Sequence, residues 1–339
     1  MSSEIDQAFL QDEDDLKHLT SFEILKSATK ILKSNPMFMG LTIMSVLPLF
    51  VFMVLHEIKI SEVMDGVSKF LLPPSFSYTY YFTGDEFEYD ENDLRRKHFR
   101  VVLELFPFYL VLLPLLEFFS LPLIVNLGVK IYAGEISSSL TVKEIINEVI
   151  YKKVNLKGAF ITLFWVQLLS ICTFAGLIWT VLSHHFIMQY IFLREDFVQI
   201  LSIGFHSLIF LGILYKFLEW SVLWNMAMVI SVLQIEAGLY ALELSAYYGK
   251  HCKRTGFKLM LMVLSYSFFL RLPFLLARMC NYVIVVTVAV TVIVFGLVFF
   301  GSLVKWVALV TYFYECKAQV LLKKANEEAH KAVEVGDLC

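Results

Sequence analysis

Charged residues are scarce in this sequence. Asp, Glu, Lys and Arg make up 17% of the 339 residues, whereas a soluble protein carries about 25%. Hydrophobic residues make up 58%, Phe alone occurs 31 times, and the mean hydropathy is +0.69. So much apolar surface cannot be buried in a water-soluble core, and lipid must therefore be part of the solvent. The composition predicts an integral membrane protein.

Enzyme signatures are also missing. The sequence contains no HExxH, Walker loop, GxSxG or paired-Cys motif, so it predicts no catalytic residue, no metal site and no cofactor. It has no basic tail or basic stripe with interleaved aromatics, and nucleic acid is not expected as a partner. The adjacent His184 and His185 are interpreted as a polar pair in a loop, because neighbours in sequence point different ways and do not form a metal site alone.

Long apolar runs determine the predicted fold class, an all-α integral membrane protein with six transmembrane helices. A hydrocarbon core of about 30 Å requires about 20 helical residues. The predicted spans are about 37–55, 101–129, 158–182, 200–233, 259–278 and 282–314. The last two are separated by Arg271, Pro273, Arg278 and Asn281, since the uninterrupted run would be too long for one crossing. The predicted membrane domain is 21–315 and includes an outer loop (56–100). An acidic cytoplasmic tail (1–20) precedes it, and a second cytoplasmic tail (316–339) follows it.

Basic residues indicate the orientation of these spans. One side of the predicted membrane domain carries 17 Lys and Arg, and the other side carries 9. The richer side consists of the two termini, the connection between spans two and three, and the connection between spans four and five. Cytoplasmic loops are enriched in Lys and Arg, so both termini are predicted to be cytoplasmic. Cysteines on the cytoplasmic side are expected to be free thiols. Among them, Cys252 and Cys316 lie at the inner membrane edge and are candidates for palmitoylation.

Three cytoplasmic segments resemble one another: Ser21–Gly40, Thr141–Gly158 and Leu239–Gly256. Each has a short helical pattern, then a basic cluster, then a Gly that opens the next span. Thr20 and Glu23 have the spacing of a capping box. The pattern predicts amphipathic interfacial helices whose apolar faces dip into the acyl boundary, with Thr141–Tyr151 as the clearest example. The alternative is that any inner loop of a membrane protein collects lysines.

Three segments carry a family resemblance: "EILKSATKILKSNPMFMGLTIMSVLPLFVFMVLHEIKISE" (Glu23–Glu62), "WNMAMVISVLQIEAGLYALELSAYYGK" (Trp224–Lys250) and "VTYFYECK" (Val310–Lys317). They resemble a plant family of polytopic transmembrane proteins. The second is also similar to the membrane domain of some bacterial glycerophosphodiester phosphodiesterases. The resemblance implies six spans and residence in the endomembrane system or plasma membrane. It implies no catalytic residue, because the phosphodiesterase barrel is absent.

Ionisable or polar residues within the spans form the candidate intramembrane polar site: Glu117, Lys216, Glu219 and Asn126. Lys216 and Glu219 are three residues apart and can pair on one helix face, and all three charged groups are expected to turn away from lipid. Glu117 requires contact with the fourth span or with backbone. Lys305 lies nearer an inner end and could snorkel. These groups suit either a structural ion pair or a substrate path.

The leading functional interpretation is a non-enzymatic multi-pass membrane protein that acts as a scaffold, organises the membrane or binds partners. Its expected partners are membrane lipids and other membrane proteins. The alternative is a transporter or channel-like protein that uses the Glu/Lys site. A lipid-modifying membrane enzyme is the third possibility, and it has only the distant family resemblance in its favour.

Overall fold

The computed structural model describes residues 19–34, 39–45, 47–55, 111–132, 156–191, 196–234, 236–279 and 284–336. These residues are helical apart from short turns, and they contain no strand. The predicted all-α fold class is therefore confirmed for the described part of the chain. The predicted outer loop 56–100 and the predicted interfacial helix Thr141–Tyr151 lie outside the described residues.

Seven helices of the described part of the chain are labelled in chain order. They are α1 (Ser21–Ser34), α2 (Leu113–Tyr132), α3 (Leu156–Ile191), α4 (Asp196–Leu233), α5 (Leu239–Gly249), α6 (Lys253–Met279) and α7 (Ile284–Gly336). Residues 39–45 and 47–55 are also helical. His184 and His185 both lie within α3, so the prediction that they form a loop pair was wrong.

Four of the described helices are long and apolar enough to cross a membrane. The qualifying stretches are Pro114–Ile131, Leu156–His184, Ile200–Leu233 and Val292–Glu327. They lie in α2, α3, α4 and α7, and each contains at least the 18 residues that a crossing requires. The structure is therefore that of a helical membrane protein.

α1 begins with the predicted capping box. The Thr20 backbone N–H donates to Glu23 Oε2 at 2.7 Å, and the Glu23 N–H donates to Thr20 Oγ1 at 3.4 Å. Ile24, Ala28 and Leu32 recur every fourth residue and are buried, as expected for one face of a helix. α1 packs against α6 and α7, so this apolar face contacts protein. The sequence pattern had instead predicted that it would dip into the acyl boundary.

α7 lies at the centre of the bundle and packs against α1, α2, α4, α5 and α6. The hydrophobic residues from Leu303 to Phe313 are almost all buried. The helix does not end at residue 314, where the last span was predicted to end, but continues to Gly336. No Pro or Gly interrupts residues 302–335, and the Ala, Lys, Glu and Leu found there are good helix formers. The predicted tail is therefore helical as far as Gly336.

The turn between α4 and α5 is anchored on α3. Gly238 has a φ of 64° and a ψ of −132°, a conformation that is essentially restricted to glycine. Its N–H donates to Thr162 Oγ1 at 2.8 Å, and a Cβ there would lie 3.2 Å from Ile161 Cγ2. The turn therefore requires glycine, and its contact with α3 fixes where α5 begins.

Candidate functional site

An ion pair joins α2 to α7. Lys305 Nζ and Trp306 Nε1 both donate to Glu117 Oε1, each at 2.8 Å. The Lys305 ammonium also lies 4.3 Å from the centroid of the Trp306 ring, and Ser302 hydrogen-bonds to the same carboxylate. The Lys305 and Glu117 side chains are only 19% and 25% exposed. The carboxylate is therefore held by several donors in a largely buried position.

The three partners of Glu117 lie on one face of α7. Ser302, Lys305 and Trp306 are spaced three and four residues apart, which brings them together on the same side of a helix. From the sequence, Lys305 was interpreted as a snorkelling residue, and Trp306 was not considered. The spacing of these polar groups within an apolar helix was the available signal, but it does not identify the helix that they face. The sequence analysis offered the fourth span or backbone as the partner of Glu117, whereas in the structure Glu117 contacts α7.

A cavity of about 670 Å³ adjoins this ion pair. Glu117 and Lys305 lie in its wall, and most of its other lining groups are apolar. They come from α1, α6, α7 and the helical residues 47–55, with Leu25, Leu49, Val263 and Phe299 as examples. A largely apolar space with a few convergent polar groups is the usual form of a small-molecule site.

The rim of the cavity includes exposed apolar side chains. Phe22 on α1 is 67% exposed, and Met262 and Tyr266 on α6 are each 38% exposed. These side chains border the opening of the cavity between α1 and α6.

Lys216 and Glu219 form the second candidate ion pair, and it is of a different kind. Lys216 Nζ lies 2.8 Å from Glu219 Oε2 along α4, which confirms the predicted pairing at three residues' separation. The Lys216 side chain is 57% exposed and that of Glu219 is 26% exposed, so the expectation that Lys216 turns inward was wrong. Neither residue lines the cavity.

Asn126 makes its contact within its own helix. Its Nδ2 donates to the Pro122 carbonyl oxygen at 2.8 Å. The side chain is half-buried on α2, nine residues beyond Glu117. This bond supports the helix next to a proline, and the structure assigns Asn126 no contact with the ion pair.

The two candidate palmitoylation sites are both buried. Cys252 is 5% exposed and Cys316 is 0% exposed. The Cys252 thiol donates to Gln319 Oε1 at 2.9 Å, and the Cys252 carbonyl accepts from the Tyr312 hydroxyl at 3.1 Å. An acyl chain cannot be attached to either sulfur without opening the core. The packing therefore argues against palmitoylation of the folded protein at these two positions.

Metal ligands are not assembled in the described part of the chain. No group of three or more His, Cys, Asp or Glu is placed there to hold an ion. His184 on α3 and His206 on α4 lie close to each other, with ring centroids 5.1 Å apart. His206 Nδ1 is already within hydrogen-bond distance of the Ser202 carbonyl, at 2.9 Å.

A family model described as a domain of unknown function, DUF8558, matches residues 10–323. The matched region includes every helix from α1 to α6 and most of α7. No curated protein and no solved structure matches the chain.

Proposed function

We propose that this chain, which belongs to the DUF8558 family, is a non-enzymatic multi-pass membrane protein that binds a membrane lipid in the cavity beside the Glu117–Lys305 pair. The observation that carries the proposal is the 670 Å³ apolar cavity with one charge pair in its wall. The cavity has the size of a drug-sized ligand site, and its exposed apolar rim faces the bilayer. By holding a lipid, the protein would organise the membrane around it.

The proposed topology has six spans with both termini in the cytoplasm. Four spans correspond to the apolar helices described above. The other two are the helical residues 39–55 on either side of position 46, and α6, whose 27 residues are about 40 Å long. Membership of a plant endomembrane or plasma-membrane protein family, inferred from the resembling segments, is part of the same proposal. So is the placement of α1 and α5 along the cytoplasmic leaflet.

The topology predicts a protease-accessibility result. Epitope tags at the N- and C-termini should both be digested by protease added to the cytoplasmic side, because the 17-to-9 distribution of Lys and Arg favours a cytoplasmic position for both ends. A tag inserted in 56–100 should survive until the membrane is opened. Protection of either terminal tag in sealed vesicles would contradict the arrangement.

Lipid retention tests the cavity directly. In the Val263→Trp variant, the indole would fill the cavity that Val263 lines, whereas Leu264→Trp adds the same indole one residue along α6 at a 37% exposed position. We expect wild type and Leu264→Trp to copurify with about one tightly held lipid per chain. Val263→Trp should retain several-fold less, as measured by extraction and mass spectrometry of detergent-purified protein. Equal retention by all three proteins would contradict lipid binding in this cavity.

A transporter is the second candidate, because the Glu117–Lys305 pair lies deep within the proposed span. Lys305 is nine residues from Tyr314, the proposed inner end, or about 14 Å of helix. This is about half the thickness of the hydrocarbon core, where substrate sites of transporters are found. Cysteines introduced along α2 and α7, on either side of the pair, would distinguish the candidates. Transport requires water-soluble thiol reagents to reach the pair from both sides, whereas lipid binding does not.

A further inference from the structure

The hydrogen-bonding groups in the cavity wall limit the kind of lipid that fits. Thr29, Tyr266 and Ser267 line the cavity. Their hydroxyl groups already donate to the carbonyl oxygens of Leu25, Leu297 and Val263 at 2.8, 2.8 and 3.0 Å. Each hydroxyl therefore offers a ligand only the lone pairs of its oxygen.

The ion pair supplies the other polar contacts. Within the described part of the chain, the Lys305 ammonium gives one of its three N–H groups to Glu117, so donor capacity remains for a ligand. Glu117 Oε1 accepts two bonds, and the carboxylate has further lone pairs. A ligand group that both donates and accepts would thus satisfy the site. A hydroxyl group does both.

Charge argues in the same direction. The pair is neutral as a unit, and its side chains are largely buried, with Lys305 19% exposed and Glu117 25% exposed. A phosphate head would draw Lys305 away and leave the Glu117 carboxylate uncompensated beside a second negative charge. A cationic head would draw Glu117 away and leave the Lys305 ammonium uncompensated beside a second positive charge. Leaving one member of a buried pair unpaired is strongly unfavourable, whereas a hydroxyl group can bond to both partners without separating them.

The volume limits the size of the hydrophobic body. At ~30 Å³ per non-hydrogen atom, the share that a water molecule occupies in the liquid, 670 Å³ holds roughly 22 such atoms. This is the size of one long-chain alcohol or of the ring system of a sterol without its side chain. A phospholipid with two long acyl chains has more than twice as many atoms.

From these contacts we propose that the cavity binds a lipid alcohol, with its hydroxyl group against the Glu117–Lys305 pair and a long alkyl chain or a sterol ring system among the apolar walls. The proposal rests on the proposed lipid-binding function of the cavity and specifies the class of lipid. Phe299 and Leu49 contribute apolar wall, and the hydroxyl group bonds to Glu117 Oε2 or to a free Lys305 N–H.

Three photoactivatable, clickable probes test the class of lipid on full-length protein in phosphatidylcholine nanodiscs. They are a sterol with a free 3-hydroxyl group, its 3-methyl ether, and phosphatidic acid. We expect the hydroxyl probe to label peptides of α6 and α7 that line the cavity, with the methyl ether weaker by about tenfold or more, since a hydrogen bond to a charged group is lost. In the Glu117→Gln/Lys305→Met double variant, the preference for the free hydroxyl group should shrink several-fold.

The outcomes separate the two proposals. Equal cavity labelling by the hydroxyl and ether probes, or stronger labelling by phosphatidic acid, would overturn the lipid-alcohol assignment and leave lipid binding standing. If none of the probes labels the cavity peptides, and Val263→Trp retains as much lipid as wild type, lipid binding itself is wrong. Labelling by the hydroxyl probe that Val263→Trp abolishes and Leu264→Trp preserves would support both.

Discussion

Replacing Lys305 with Met should lower the free energy of unfolding by about 3–5 kcal/mol. The substitution keeps a flexible side chain of similar length but leaves the Glu117 carboxylate with Trp306 and Ser302 as its remaining donors. At 25% exposure, this carboxylate cannot regain in solvent the charge compensation it has lost. Thermal unfolding in nanodiscs, followed by circular dichroism, measures the change.

Two further variants identify the cause of this loss. Glu117→Gln combined with Lys305→Met removes the unpaired charge and should recover at least half of the lost stability. Lys323→Met is the matched control, because its partner Glu327 is 4.0 Å away and both side chains are more than half exposed. Exposed pairs contribute little, so this control should unfold as wild type does. If the double variant is no more stable than Lys305→Met alone, charge is not the reason for the loss.

Local patterns predicted several contacts correctly. The capping box at Thr20 and Glu23 and the Lys216–Glu219 pair each lie within one helical turn, where spacing along the chain determines spacing in space. Such contacts require only the right side chains at the right spacing within one helix. They can therefore be inferred without knowledge of how the helices pack.

The candidate site could not be predicted in this way. Glu117 and Lys305 are 188 residues apart, and helical periodicity does not indicate which distant helix faces a given residue. The sequence identified Glu117 as an intramembrane charge but grouped it with Lys216 and Glu219, which pair with each other along α4. The cavity is less predictable still, since its walls come from several helices whose arrangement is set by packing.

Two glycines also show that sequence position does not reveal how tightly a residue is packed. Gly40 and Gly256 occupy equivalent positions in the cytoplasmic segments, and the sequence pattern predicts that each begins a membrane span. A Cβ at Gly40 would meet nothing within 4 Å, whereas a Cβ at Gly256 would meet Tyr312 and Val222. One sequence feature therefore has two structural roles, because only the second lies where α4, α6 and α7 converge.

Gly256→Ala should therefore destabilise the protein by about 3 kcal/mol, at the upper end of the range typical of overpacking. The new Cβ would lie 2.5 Å from the Tyr312 hydroxyl oxygen and 2.6 Å from Val222 Cγ1. Tyr312 cannot easily move aside, because it is fully buried and its hydroxyl group donates to the Cys252 carbonyl at 3.1 Å.

A matched glycine separates overpacking from helix propensity. Gly212→Ala in α4 places its Cβ in open space, so it should raise stability by about 0.5–1 kcal/mol, as expected when Ala replaces Gly within a helix. Tyr312→Phe removes the closest atom, and adding it to Gly256→Ala should recover part of the loss even though the Cys252 carbonyl then lacks its donor. These changes are measured by thermal unfolding of each variant in nanodiscs. A Gly256→Ala protein as stable as wild type would show that α4, α6 and α7 do not approach one another as closely at this point.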